Sequence, residues 1–312
     1  MRAGLRRAAQ ILRAGGLVAF PTETVYGLGA DAANEKAMAR LYAVKRRPAD
    51  HPVIVHFANA EKAFAWAREV PETARKLAAR YWPGPLTLIL KRSAAAQDFV
   101  TGGQDTVGLR VPSHPVAQAL LKEFSGGIAA PSANRFGLVS PTTAAHVRDD
   151  LGADVDLVLE GGSSEIGIES TILDLSGPVP VLLRPGRVSK EDLKAVIGEV
   201  LERTPASPRH PGGMERHYAP RTPAQMVFSY ELDKAIALAR AGVAVLAFSR
   251  PDERVDYWLR MPREPKAYAQ RLYAALRELD TAGCERILIE APPESPEWSA
   301  VRDRLERACG LA

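Results

Sequence analysis

Six polar segments of this 312-residue chain carry residue types suited to holding an anionic small molecule. They are PTETVYGLG (21–29), KRRPADHPVIVH (45–56), TVGLRVPSH (106–114), PSANRFGLVSPT (131–142), GIESTILD (167–174) and LLRPG (182–186). Four of them supply cations: Lys45, Arg46 and Arg47 in one, then Arg110, Arg135 and Arg184. A guanidinium presents forked donors that match phosphate or carboxylate oxygens two at a time. Hydroxyls fall in the same segments, at Thr22, Thr24, Thr106, Ser132, Ser140, Thr142, Ser170 and Thr171, and donate to such oxygens without adding charge. Each segment alone also has a structural reading. A surface Arg is ordinarily solvated, and a Ser or Thr beside a turn commonly bonds its own backbone. Ser140-Pro141-Thr142-Thr143, for example, is a ready N-cap for a helix over 143–151. Together the six point to a polyanionic ligand, and spacing takes the reading as far as a phosphorylated molecule with a carboxylate.

Other chemistries find little support. There is no GxxxxGK[ST] phosphate loop, no HExxH and no CxxC pair. Gly27-Leu28-Gly29-Ala30-Asp31-Ala32 fits GxGxxA, but the polar PTETVY separates it from the preceding strand signal and the helix signal starts later. A dinucleotide site is therefore rejected. A serine hydrolase built on Ser132 or Ser170 lacks a GxSxG elbow.

Ligand-binding loops need a rigid sheet behind them. Strand signals flank the polar segments at Leu17–Phe20, Pro52–Phe57, Leu86–Leu90, Thr106–Val111, Gly127–Ala130, Leu157–Glu160, Ser170–Leu175 and Val179–Leu183. Helical spacing covers Glu35–Val44, Pro71–Arg80, Pro115–Lys122, Thr143–Leu151 and Lys190–Leu201. Pro83-Gly84-Pro85 reads as a rigid turn without chemistry. Near the start, Arg2, Arg6, Arg7 and Arg13 precede any acid, as in a transit peptide. Leu5, Ala8, Ala9 and Leu12 recur at helical spacing, however, and Gly15-Gly16 stops them, so this stretch is read as a folded helix.

Residues 205–223 hold five prolines and two glycines and are expected to run extended over the surface. They divide the chain into a domain over 1–204 and a smaller one over 224–312, matching the two domains expected of this length. His217 and Tyr218 are unusual residues for a passive tether. Beyond it, the order helix 231–241, strand 243–248, helix 266–280, strand 286–290 and helix 297–309 predicts a small parallel α/β domain. The fold class is thus α/β, a twisted mixed sheet with helices plus a smaller Rossmann-like unit.

Composition bounds the setting. With 46% hydrophobic residues the chain can build cores, and its two cysteines cannot staple it, which fits a cytoplasmic protein. No apolar run approaches the ~18 residues of a membrane helix. The net charge of +4 is unevenly spread: residues 1–135 carry 19 Lys and Arg against 10 Asp and Glu, whereas residues 136–204 carry 6 against 12. A basic half suits a phosphate-rich ligand, and RNA binding is the rival reading, marked by a steep salt dependence.

FPTETVYGLGADA, KxRP followed by PVIVH, YWPGPLT, VGLRVP, PSAN with SPT, ESTILD and LLRPG occur in this order. They closely resemble the YrdC-like threonylcarbamoyl-adenylate synthases, and HYAP with the α/β tail resembles the longer, two-domain form of that family. The resemblance covers essentially the whole chain. It implies a reaction of L-threonine, bicarbonate and ATP that yields threonylcarbamoyl-AMP and pyrophosphate. The product would pass to threonylcarbamoyl transferase machinery that modifies tRNA beside the anticodon. By the family pattern, Thr24, His56, Arg110, the backbone at Ala130 and Ser170 would surround threonine. Arg47, His51, Thr106, Ser132, Ser140, Arg184 and Tyr218 would meet ATP, with Tyr218 reaching in from the linker as a cover. Lys45 and Arg47 form the family's KxR pair and would stabilise charge at the α-phosphorus. Mg2+ is expected on the ATP phosphates, with no dedicated protein metal site. Two departures stand out: His51 replaces the family's usual Asn, and Pro292–Arg302 lacks a glycine-rich turn common in relatives.

Overall fold

The computed structural model describes residues 2–239 and 242–311, whose contacts divide the chain into two compact units. The first comprises Met1–Phe136, Pro141–Glu165 and Glu169–Gly213; the second comprises Gly137–Ser140, Ile166–Ile168 and Met214–Ala312. The proline-rich segment is shared between them, changing unit after Gly213. Its later part is not laid over the surface as expected, since His217, Tyr218, Ala219 and Pro220 are buried.

The first unit is built on ten strands: β1 (Val18–Phe20), β2 (Gly27–Asp31), β3 (Ile54–His56), β4 (Leu86–Lys91), β5 (Thr106–Arg110), β6 (Ile128–Ala129), β7 (Leu157–Val158), β8 (Thr171–Asp174), β9 (Val181–Arg184) and β10 (Leu201–Glu202). They form one sheet in the order β10-β9-β8-β4-β5-β3-β6-β2-β1-β7. It is mixed: β3 with β5 and β4 with β8 are parallel, while β4 with β5 and β3 with β6 are antiparallel.

Side chains alternate across a strand, so register decides what shares a face. His56 is opposite Arg110 and Ile128; Ile54 and Ile89 flank Gly108; Thr87 is opposite Ile172, and Ile172 opposite Arg184. All of these lie on one face. The other face carries Val55, Leu88, Leu109, Ala129 and Leu173 into the main core, under Met38 and Leu41 of the helix Glu35–Lys45 and Leu77 of the helix Glu72–Tyr81. On the first face, Val18, Phe20, Ile128 and Ala130 are covered by Leu5, Ala8, Ala9 and Leu12 of the helix Arg2–Arg13 and by Leu120 and Leu121 of the helix Pro115–Phe124. A leucine buried in this way contributes about 1.5–3 kcal/mol. Ile54, Ile89, Ile172 and Leu183 form a small second cluster on that face. His56, Arg110, Thr87 and Arg184 remain there as buried polar groups.

Residues 27–31 are a strand, which the glycine pattern had concealed. Close packing requires those glycines: a Cβ on Gly29 would lie 2.9 Å from both Ile128 Cγ2 and Phe20 Cε1. The helix expected over Lys190–Leu201 ends at Ile197, because Gly198 turns to φ +82° and the chain then adds β10.

The second unit has four strands, β11 (Ala224–Val227), β12 (Val243–Ala247), β13 (Tyr257–Arg260) and β14 (Arg286–Glu290), all parallel in the order β11-β14-β12-β13. β11 and β13 are the edges, four residues each and half-exposed, and sequence patterning missed both. The helix expected over 231–241 begins at Leu232; its residues 240–241 lie outside the described residues.

Candidate active site

Arg110 ends β5 and is held on two sides. Nη2 donates to Glu23 Oε1 at 2.6 Å, and Nε donates to the Gly84 carbonyl at 3.3 Å. Nη1 donates to nothing among the described residues, so one terminal nitrogen is available. The turn through Gly84, read from sequence as chemically silent, thus supplies an acceptor that aims Arg110. Glu23 in turn accepts the Ser113 N–H at 3.1 Å through Oε2. Beside it, the Thr22 and Thr24 hydroxyls are 2.8 Å apart and Thr22 Oγ1 donates to the Val25 carbonyl, which pins the loop between β1 and β2. Neither Glu23 nor Gly84 was legible in the sequence, since an ion pair or a carbonyl contact between distant segments leaves no periodic signal.

His56 ends β3 as the register partner of Arg110. Burial, followed by the neighbouring guanidinium, pushes its pKa down to about 3, so the ring is neutral. Its Nδ1 is buried and makes no well-aligned hydrogen bond among the described residues, although the Ile128 and Ile54 backbones come near the ring. A buried imidazole nitrogen without a partner is costly in a finished core and fits a position that completes its bonding with a ligand. Ala130, on the neighbouring chain segment after β6, donates its N–H to the Ile54 carbonyl.

Ser170, immediately before β8, shares a 2.8 Å hydroxyl contact with Thr87. Arg184 donates to the Ser170 carbonyl from Nε at 3.0 Å, to the Ser170 hydroxyl from Nη2 at 3.2 Å and to the Pro211 carbonyl from Nη1 at 3.0 Å. The proline-rich segment is therefore tied to the buried Arg184. Arg209 fastens it further, through Asp50 and the Gly102 carbonyl.

The KxR pair lies where the helix Glu35–Lys45 stops. Arg46 takes a left-handed conformation, φ +53°, which ends the helix and sends Arg46 to solvent while Lys45 and Arg47 stay buried. Lys45 Nζ donates to the carbonyls of Ser132 and Asn134 at 2.5 and 2.6 Å. Its ammonium-end hydrogens therefore prop the loop that carries Ser132. Burial, then Arg47, lowers the Lys45 pKa well below the usual lysine range. Arg47 donates to the Pro52 carbonyl at 2.8 Å and its guanidinium lies 5.2 Å from the Phe136 ring centroid. His51 meets the same ring edge-on at 5.3 Å, and burial with the nearby Arg47 lowers its pKa. Phe136 is a further residue that sequence reading passed over.

Thr106 begins β5 on the face that Arg110 occupies, about 13 Å along the strand by the usual rise. Gly108 between them leaves that stretch low. Arg135 is spent elsewhere, on Asp154 and the Val44 carbonyl. Ser140 and Tyr218 belong to the second unit. There Tyr218 stacks on Tyr273 at 5.8 Å, the Arg304 guanidinium lies 5.2 Å from its ring, and its backbone is left-handed at φ +59°. Among the described residues no group of three His, Cys, Asp or Glu side chains converges to form a metal cage. No helix among them is long and apolar enough to cross a membrane.

The Sua5/YciO/YrdC family, described as telomere recombination, matches residues 10–186, and the threonylcarbamoyl-AMP synthase C-terminal domain matches residues 188–310. A threonylcarbamoyl-AMP synthase of Pyrococcus abyssi is 40% identical over 98% of this chain and 94% of its own length. One from Bacillus subtilis is 38% identical over 98% and 93%. The crystal structure of P. abyssi Sua5 complexed with L-threonine superposes with a TM-score of 0.92, at 40% identity, covering 98% of this chain and 94% of that one. The mixed sheet and the small parallel unit agree with these matches, and the chain belongs to the Sua5/YrdC family of threonylcarbamoyl-AMP synthases, in its two-domain form.

Proposed function

We propose that the chain condenses L-threonine, bicarbonate and ATP into threonylcarbamoyl-AMP, with release of pyrophosphate and water. The observation that carries this is the pairing of Arg110, fixed on Glu23 and Gly84 with Nη1 left over, with a neutral, buried His56. A carboxylate meets a rigid guanidinium there, and an adjoining neutral imidazole adds no second positive charge. Thr24, the Ala130 backbone and Ser170 complete the amino-acid end. The P. abyssi relative crystallised with L-threonine supports the same reading.

The nucleotide takes Arg47, His51, Thr106, Ser132 and Arg184. The threonine nitrogen adds to the carbon of bicarbonate, water is lost, and a carbamate oxygen then attacks the α-phosphorus as pyrophosphate leaves. Negative charge grows on the phosphorus oxygens and the leaving group, where fixed cations lower the barrier. Lys45 acts through the loop that it holds, and Arg47 and Arg184 act directly. Mg2+ comes with the nucleotide phosphates and needs no cage of protein carboxylates. The product goes to a threonylcarbamoyl transferase acting on tRNA, and the setting is the cytoplasm. The four buried cations do not serve an RNA surface: Lys45, Arg47, Arg110 and Arg184 are held on protein acceptors.

The test is mass spectrometry of the product formed from 13C-bicarbonate, L-threonine and ATP. A species containing threonine, AMP and one labelled carbon is expected. An unlabelled aminoacyl-adenylate would overturn the reading.

A further inference from the structure

Glu23 lies inside the segment noted for its threonine hydroxyls, and the structure aims it at the amino-acid end of the site. Its side chain is 4% exposed and that of Arg110 5%, with 2.6 Å between Oε1 and Nη2. Both carboxylate oxygens are engaged, one by Arg110 and one by the Ser113 N–H. The loop that bears it is locked by the Thr22 hydroxyl, which contacts Thr24 Oγ1 and the Val25 carbonyl. Arg184, on β9 and so three strands from β5, bonds the neutral groups of Ser170 and Pro211 and keeps its charge away from the pair.

We infer that Glu23 is the specificity-determining residue of the amino-acid subsite, cancelling the charge of Arg110 so that a zwitterion is accepted and a plain carboxylate is rejected. The inference rests on the reading of Arg110 as the partner of threonine's carboxylate. An arginine buried alone attracts any anion, because a charge out of water is costly without a partner. With Glu23 opposite, the charge of Arg110 is cancelled locally. A bare carboxylate entering it leaves one net negative charge in a poorly screened place, whereas an α-amino acid brings its own ammonium. Neutral His56 does not alter that balance. Glu23 touches Arg110 and the backbone of Ser113, so it sets the charge and pose of the group that binds and takes no part in bond making.

The test is calorimetric titration of the full chain with L-threonine and with 3-hydroxybutanoate, the same carbon skeleton and hydroxyl without the amine. The unaltered chain should prefer threonine by about 100-fold or more, as sites lined with committed polar groups do. In Glu23→Gln, threonine should weaken by about 30-fold or more, the usual scale for losing one partner of a buried charge pair. Binding of 3-hydroxybutanoate should stay the same or tighten. Glu23→Asp keeps the charge and should keep the preference, even with both ligands weakened. A parallel loss of both ligands in a folded Glu23→Gln, or loss of the preference in Glu23→Asp, would overturn the charge-balance role and reduce Glu23 to a clamp. Failure of the unaltered chain to bind either ligand would instead overturn the amino-acid reading of Arg110 itself.

Discussion

His56 and Arg110 are register partners on the parallel strands β3 and β5, so an imidazole and a guanidinium stand side by side on one buried face of the sheet. Each conditions the other. Burial and the fixed positive charge keep His56 neutral, and a neutral His56 leaves Arg110 with Glu23 as its one paired charge.

A pH dependence of stability follows. His56 titrates near 6.5 when unfolded and near 3 when folded, so above pH 6.5 it is uncharged in both states and contributes nothing. As pH falls from 6.5 towards 3, the unfolded chain takes up a proton that the native chain refuses. Stability then drops by up to about 1.4 kcal/mol per pH unit. Urea unfolding between pH 6.5 and 4 should show this slope, and His56→Asn should lessen it by one proton's worth. An unchanged slope would place the acid lability elsewhere.

Arg110→Ala removes the guanidinium that Glu23 and Gly84 hold in place. Threonine-dependent turnover should fall by about 100-fold or more, the scale expected when a buried charge partner is lost. The loss should appear in kcat/KM for threonine, with KM for ATP nearly constant. Unchanged turnover would contradict the carboxylate assignment.

Arg184 joins Ser170 to Pro211 through three donors. Lysine keeps the charge but not the fork. Arg184→Lys should therefore raise KM for ATP and also speed tryptic cleavage at Arg209, whose segment is tied down by the same contacts. Altered kinetics without faster cleavage would separate the nucleotide role from the tether.

Tyr218 combines a buried ring with a left-handed backbone. Tyr218→Ala loses the contacts with Tyr273 and Arg304 and keeps the strain, a cost of about 3–5 kcal/mol for a core aromatic. Glycine accepts positive φ freely, so Tyr218→Gly should be more stable than Tyr218→Ala by about 1 kcal/mol. Chemical denaturation of the two variants measures the difference, and the reverse order would contradict the strain.

The residues of the candidate site stand out in the chain because they fall in contiguous motifs. Lys45 and Arg47 sit in one run, and Ser170 and Arg184 each border a strand whose apolar run is plain. The helix Arg2–Arg13 was equally open, since its buried residues Leu5, Ala8, Ala9 and Leu12 follow a 3.6-residue period. Other parts depend on what meets in space. The glycines of β2 look like a loop until Ile128 and Phe20 are seen to leave no room for a side chain. Glu23 looks solvated until Arg110, 87 residues away, is brought against it. β11 and β13 escape notice because an edge strand need not be apolar on either face.

The central claim is tested most directly by pyrophosphate release from ATP with L-threonine and bicarbonate, each omitted in turn. The account predicts release only when all three are present. Release that continues without threonine or without bicarbonate, or a folded protein that releases none with all three supplied, would contradict it.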